Sequence, residues 1–154
     1  SEFLKDNFLS VWHHFLLFEI ERSKAGVKAW GNANGYLVFQ VIAWHHVVIL
    51  SANSDTKFRD DAVQLWLVFS RSGFETNTVL TYTLISELTS LSIETVRRQV
   101  KKLQSNKWVS YSKKEGVKYN PSDDNNKFLT DNFNVSEVEN LGNFLDIIDK
   151  RRSN

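Results

Sequence analysis

At 154 residues, 42% of them hydrophobic, the chain is long enough for one domain with a true core, and its composition excludes intrinsic disorder. It contains no cysteine, which excludes disulfides, thiolate metal ligands and a cysteine nucleophile, and fits a reducing, cytoplasmic setting. The net charge of +1 hides a local excess: residues 92–118 carry eight basic side chains against Glu94 and Glu115, a net of +6, while the flanking segments are slightly acidic.

Phe3 to about Ala29 is predicted as a long first helix, on which Phe8, Val11, Trp12, Phe15, Leu16, Phe18 and Ile20 form a broad apolar stripe. Lys5 and Asp6 interrupt its start and no small-residue cleavage site follows, so no leader peptide is expected. Gly31 to Gly35 breaks the pattern with turn-prone residues. Tyr36 to Ser51 is apolar almost throughout and is longer than a typical strand. A buried helix is expected there, with two strands as the alternative. Gln40, His45 and His46 interrupt it short of the roughly 18 apolar residues of a membrane span, so no membrane association is expected. After a loop at Asn53–Asp55, Thr56 or Asp60 can cap a third helix through Ala62, Leu65, Trp66, Val68 and Phe69, ended by Gly73.

The stretch from Thr83 to Leu103 then organises the chain. Thr83 can cap a short helix whose Leu84, Ile85 and Leu88 turn inward, and Ser90–Ser92 forms a tight turn around a buried Leu91. Ser92 is a favoured N-cap for a second helix, and Glu94 sits where the helix dipole favours a carboxylate. Ile93, Val96, Val100 and Leu103 share one face of it; Thr95, Arg97, Arg98, Gln99, Lys101 and Lys102 make the other. A two-helix unit with a short turn and a basic second helix reads as a helix-turn-helix. Trp108–Ser112 and Val117–Tyr119 read as a hairpin, or wing, turning at Lys113–Gly116, and Val79–Tyr82 as a third short strand. After Pro121, residues 122–126 are expected as a polar loop. A final helix from Ser136 carries Val138, Leu141, Leu145 and Ile148 on one side, a face that something must cover.

The residues LSIETVRRQVKKLQSNKWVS resemble the C-terminal helix-turn-helix of the cyclic AMP receptor/Fnr family of bacterial regulators. Ser92, Glu94, Thr95, Val96, Arg98 and Leu103 match that family's pattern, whereas Ile93 stands where the family has its first base-reading arginine. The overall layout is similar to that of MarR-type regulators. Together the resemblances imply a mainly α fold (α+β in detail): a winged helix-turn-helix with long N-terminal helices and a C-terminal helix that build a homodimer. They also imply a cytoplasmic transcriptional regulator that binds double-stranded DNA, and they leave open a small hydrophobic effector between its dimerising and DNA-binding parts. The corresponding division is residues 1–76 for dimerisation and effector, 77–121 for DNA, and 122–154 for loop and closing helix.

On this reading the helix over about 92–106 enters the major groove. Ser92 and Thr95 are placed for phosphates, Arg98 for guanine, Glu94 for a cytosine amino group and Gln99 for adenine, with Arg97 and Lys102 on the same basic face. Lys113 and Lys114, in the wing at 112–118, would hold the backbone. Trp12-His13-His14 recurs as Trp44-His45-His46, four imidazoles that could serve zinc, copper or haem. Adjacent histidines lie about 100° apart on a helix, so at most one of each pair faces a shared site. Half-buried histidines bonded to backbone or water are the simpler account, and no cofactor is expected. No nucleophile elbow, phosphate-cradling glycine loop or dinucleotide fingerprint is present, so no enzyme is expected. Two further readings stay open: a winged helix used for protein contacts, and a regulator sensing metal, haem or a small ligand. The echo of Phe3–Phe8 in Phe128–Phe133 lacks matching flanks and reads as coincidence.

Overall fold

A computed structural model describes residues 1–72 and 78–154, and it is mainly helical with one small antiparallel sheet. The expected first helix is two: α1 (Glu2–Asp6) and α2 (Phe8–Trp30). Asn7 leaves helical geometry between them, at φ −117° and ψ 23°, and its side-chain amide donates to the Phe3 carbonyl at 3.1 Å. Asn32 caps α3 (Ala33–Ala52) by accepting from the Gly35 amide at 2.8 Å. The two-strand alternative fails because Tyr36, Phe39, Ile42, His46 and Leu50 recur at helical spacing and all are buried. By length and composition α3 could cross a membrane, but here these side chains pack into protein. Helix α4 (Arg59–Ser72) is capped by neither expected residue. The Thr56 amide instead donates to Ser54 Oγ, and Asp60 lies inside the first turn beside Arg59. The expected stop at Gly73 and the expected boundary at 76/77 lie outside the described residues.

Thr81, not Thr83, caps α5 (Tyr82–Thr89), accepting from the Leu84 amide at 3.1 Å. The inward side of α5 is also narrower than expected: Ile85 is fully buried and Leu84 half-buried, but Leu88 is 51% exposed. Ser90 turns the chain at φ 59°, and the Ser86 hydroxyl donates to the Leu91 carbonyl, leaving Leu91 half-buried against the core. Ser92 caps α6 (Ile93–Ser105) as expected, accepting from the Thr95 amide at 3.1 Å. Ile93, expected on the core face, is 43% exposed, because the first residue of α6 precedes the point where the helix meets the core.

Strands β1 (Val109–Ser112) and β2 (Gly116–Tyr119) pair antiparallel, with Val109 opposite Tyr119 and Ser112 opposite Gly116. The turn needs Gly116, whose φ of 71° suits glycine. The third strand expected over Val79–Tyr82 is replaced by one hydrogen bond, from the Val117 amide to the Leu80 carbonyl at 2.8 Å, after which the chain enters α5. The expected polar loop is also corrected. Ser122 caps α7 (Asp123–Phe128), and the Asn125 amide ties it to the Asn106 and Lys107 carbonyls at 2.8 and 3.0 Å. A wide turn of π-helix, Leu129–Phe133, leads into α8 (Asn134–Arg152), which therefore begins before Ser136.

One apolar cluster joins these pieces: Trp30 from α2, Phe39 and Ile42 from α3, Ile85 from α5, Val96 and Val100 from α6, Trp108 and Val117 from the hairpin, and Leu129. Each such side chain contributes about 1.5–3 kcal/mol by leaving water. The cluster crosses both expected boundaries, so α3 serves as the floor of the α5–α6–hairpin unit. Helices α2 and α8 pack alongside each other, with Phe15 and Phe18 on Phe144 and Arg22 bonded to Glu137 at 2.9 Å. At Gly26 a Cβ would run into the Tyr36 ring, so glycine is what lets α2 approach α3. The outward sides stay apolar, with Leu9 81% and Ile20 63% exposed on α2, and Val138, Leu141 and Leu145 exposed on α8.

Candidate nucleic-acid interface

The surface begins with a division of α6 into two arcs. Successive residues advance about 100°, so Val96, Val100 and Leu103 fix one buried side. Arg98, Lys101 and Lys102 lie exposed on the other. Gln99 follows Val96 by three residues and precedes Leu103 by four, which puts it with the buried set. It is 8% exposed, and its Oε1 accepts from Asn32 Nδ2 at 3.3 Å. Gln99 is thus a buried tie between α6 and the start of α3. The base-reading role given to it from sequence fails, because the apolar period decides the face.

At the front of α6, Ser92 Oγ donates to Thr95 Oγ1 at 2.9 Å while accepting the Thr95 amide, so the two hydroxyls expected at phosphates sit together at the helix N-terminus. Arg97 and Glu94 form an exposed pair at 2.8 Å, one turn apart. This pair contributes little to stability, since both groups are well solvated. It does hold the Glu94 carboxylate and the Arg97 guanidinium in a fixed relation. Arg97 also lies over the Tyr82 ring at 5.9 Å, and Tyr82 stacks on Tyr111 at 4.3 Å. Burial, then the neighbouring Tyr111, raises the Tyr82 pKa, so the Tyr82 phenol stays neutral. Tyr82 and Tyr111 were missed from sequence because they come from different elements and no local spacing links them.

The hairpin completes the surface. Lys113 and Lys114 are exposed at its tip, where the Ser112 hydroxyl accepts the Glu115 amide at 3.0 Å. Lys118 pairs with Glu115 at 3.2 Å. The expected set Ser92, Glu94, Thr95, Arg97, Arg98 and Lys102 therefore lies along the solvent side of α6, with Lys113 and Lys114 on the hairpin and Gln99 removed.

The histidines are placed differently. His13 and His14 contact each other on α2 with ring centroids 3.9 Å apart. His46 is buried on α3 against Trp66 and Tyr119, at 4.3 and 4.9 Å, while His45 is half-buried. Burial lowers the pKa of both, that of His46 to about 4. Among the described residues, no group of three or more His, Cys, Asp or Glu side chains is placed to hold a metal ion. Comparison of the chain with protein-family models, with curated proteins and with solved structures finds no match.

Proposed function

We propose that the α5–turn–α6–hairpin unit is a winged helix-turn-helix that binds double-stranded DNA, and that the protein is a transcriptional regulator acting as a homodimer. The observation that carries this reading is the charge: a net of +6 over residues 92–118, carried on the solvent side of α6 and on the hairpin. A cylinder of this width with exposed cations fits the major groove, and lysines on a projecting hairpin fit the phosphates beside it. Arg98 reads a guanine edge, Ser92 and Thr95 meet phosphate, and Lys113 and Lys114 hold the backbone. The exposed apolar residues of α2 and α8 support pairing of two copies through that side, which would present two copies of α6 to one duplex.

The test is fluorescence anisotropy of labelled random and selected duplexes across a salt series. Binding that weakens steeply with salt, and discriminates the selected duplex, supports the reading. No binding to either duplex at low salt refutes it. A second reading has its own observation: Leu88 near the end of α5 and Ile93 at the start of α6 are both exposed and apolar, which suits a protein partner. Absence of salt-dependent DNA binding would favour that reading.

A further inference from the structure

A cavity of about 530 Å³ opens between α3, α4 and the start of α8, and no α6 residue lines it. Along α3 its wall is Tyr36, Gln40, Ala43, Val47, Leu50 and Ser51. Those residues follow one helix face for fifteen positions, about 22 Å at about 1.5 Å each. The space is therefore a groove. A cavity of about 150 Å³ already holds benzene, so a one-ring ligand would leave most of this volume empty.

Its charged lining is Arg22, Arg59 and Glu137, a net of one positive charge. Both guanidinium groups are anchored on neighbouring turns. Arg22 Nε donates to Glu137 at 2.9 Å, while Arg59 donates to Asn134 Oδ1 and the Thr130 carbonyl at 3.1 and 2.6 Å. Asn134 and Glu137 are three residues apart on α8, so the two arginines are anchored to neighbouring positions of one helix face and both line the cavity. Neither is saturated. Arg22 Nη1 serves Tyr36 Oη and Gln40, which leaves Nη2 without a partner among the described residues. The remaining contact of Arg59 is a loose one of 3.8 Å to the solvated Asp60. Tyr36 accepts from Arg22, which leaves its own proton to donate. A polar corner rich in unspent donors thus meets a long apolar trough lined by Ala43, Val47, Val63 and Trp66.

We propose that this groove binds a long-chain fatty acid, with the carboxylate held between Arg22 and Arg59 and the hydrocarbon chain along α3. The ligand also has a route to the proposed DNA surface. Trp66 lines the groove and donates to Tyr119 Oη of β2 at 3.3 Å and to Asn126 Oδ1 at 3.1 Å. An occupant that moves Trp66 therefore acts on the hairpin. That second step rests on the DNA-binding reading, whereas ligand binding does not.

The full chain is titrated by calorimetry with oleate below its micelle concentration, with oleyl alcohol and benzoate as comparisons. Saturable binding of oleate at one per chain is expected, with oleyl alcohol roughly tenfold weaker or worse for want of a charged head. Ala43→Phe on α3 and Val63→Phe on α4 fill the trough without touching either arginine, and each is expected to abolish binding while helical circular dichroism is kept. No binding of oleate, equal binding of the alcohol, tighter binding of benzoate, or unchanged binding in either folded variant overturns the proposal. The wild-type comparisons decide it even where a variant does not fold. DNA affinity measured with and without oleate is a separate arm: no change there overturns the route through Trp66 and leaves the ligand site standing.

Discussion

Asn126 is the buried polar residue on which α4, β2 and α7 converge, and its replacement by leucine shows what that junction contributes. Its Oδ1 accepts from Tyr119 Oη at 2.8 Å and from Trp66 Nε1 at 3.1 Å, and its Nδ2 donates to Ser70 Oγ at 2.9 Å. Leucine keeps the branched outline of asparagine but sets two methyl groups, larger than the oxygen and nitrogen they replace, into a buried site, and it removes three hydrogen bonds. The partners are not equally harmed. Ser70 still donates to the Leu67 carbonyl at 3.0 Å, and Trp66 still has Tyr119 Oη as an acceptor at 3.3 Å. The Tyr119 hydroxyl loses its acceptor, and burial, which raises its pKa, keeps it protonated and in need of one. One stranded buried donor costs about 1–3 kcal/mol, and the two weakened bonds add about 1 kcal/mol, so Asn126→Leu should destabilise by roughly 2–4 kcal/mol. Urea unfolding followed by circular dichroism measures it. Tyr119→Phe in the same chain removes the stranded hydroxyl and, with it, the acceptor left to Trp66, so the two losses should depart from additivity by about 1 kcal/mol or more. Strictly additive losses, or an Asn126→Leu cost under about 0.5 kcal/mol, would refute the assignment of this junction as a mutually satisfied network.

Arg98→Ala should weaken binding to a selected duplex by roughly 1–3 kcal/mol and narrow the gap to random DNA, whereas Lys114→Ala should weaken all duplexes alike and reduce the salt slope by about one. Anisotropy on both duplexes separates the two, and an equal loss on random and selected DNA for Arg98→Ala counts against base reading. His46 binds its proton near pH 6.5 when unfolded but only near 4 when folded, because burial and then His45 disfavour the charge. Its contribution is therefore complete above about pH 6.5 and is lost as pH falls toward 4, by roughly 3 kcal/mol in total. His46→Phe should flatten that part of the stability–pH curve, and an unchanged slope would contradict the role. Gly26→Ala should cost about 1–3 kcal/mol or more in thermal unfolding, since the new methyl must displace a Tyr36 ring that Arg22 holds and Trp30 stacks upon. Ile20→Lys, at an exposed position of α2, should shift sedimentation toward monomer while leaving helical content unchanged; a monomeric wild type would remove the dimer from the reading.

Much of the architecture was legible because its signals are local. Ser92 announces the start of α6, and the spacing of Val96, Val100 and Leu103 announces its buried side, since capping and period act within a few residues. The hairpin was legible for the same reason, through alternation on either side of a glycine that must adopt positive φ. The α5 cap was misplaced: Thr83 suits a cap, but Thr81 takes that position by accepting the Leu84 amide, which starts the helix two residues earlier. Residues 122–126 looked like a loop because each is polar, yet the buried acceptors and donors around Asn126 give that polarity an interior use. The exposed basic arc of α6 was readable from charge alone, and the spacing of Gln99 from Val96 and Leu103 already placed it outside that arc; only its tie to Asn32, sixty-seven positions away, was not readable.

The sequence by itself determined the mainly helical class, the α6 cap and buried side, the hairpin, and the concentration of positive charge on one short stretch, because each depends on neighbours along the chain. Tertiary structure decided that α3 is the floor beneath α5, α6 and the hairpin, that Tyr82 and Tyr111 support Arg97, and that Arg22 and Arg59 meet at one groove. Those outcomes depend on which distant surfaces exclude water together, a choice that no window of the sequence contains.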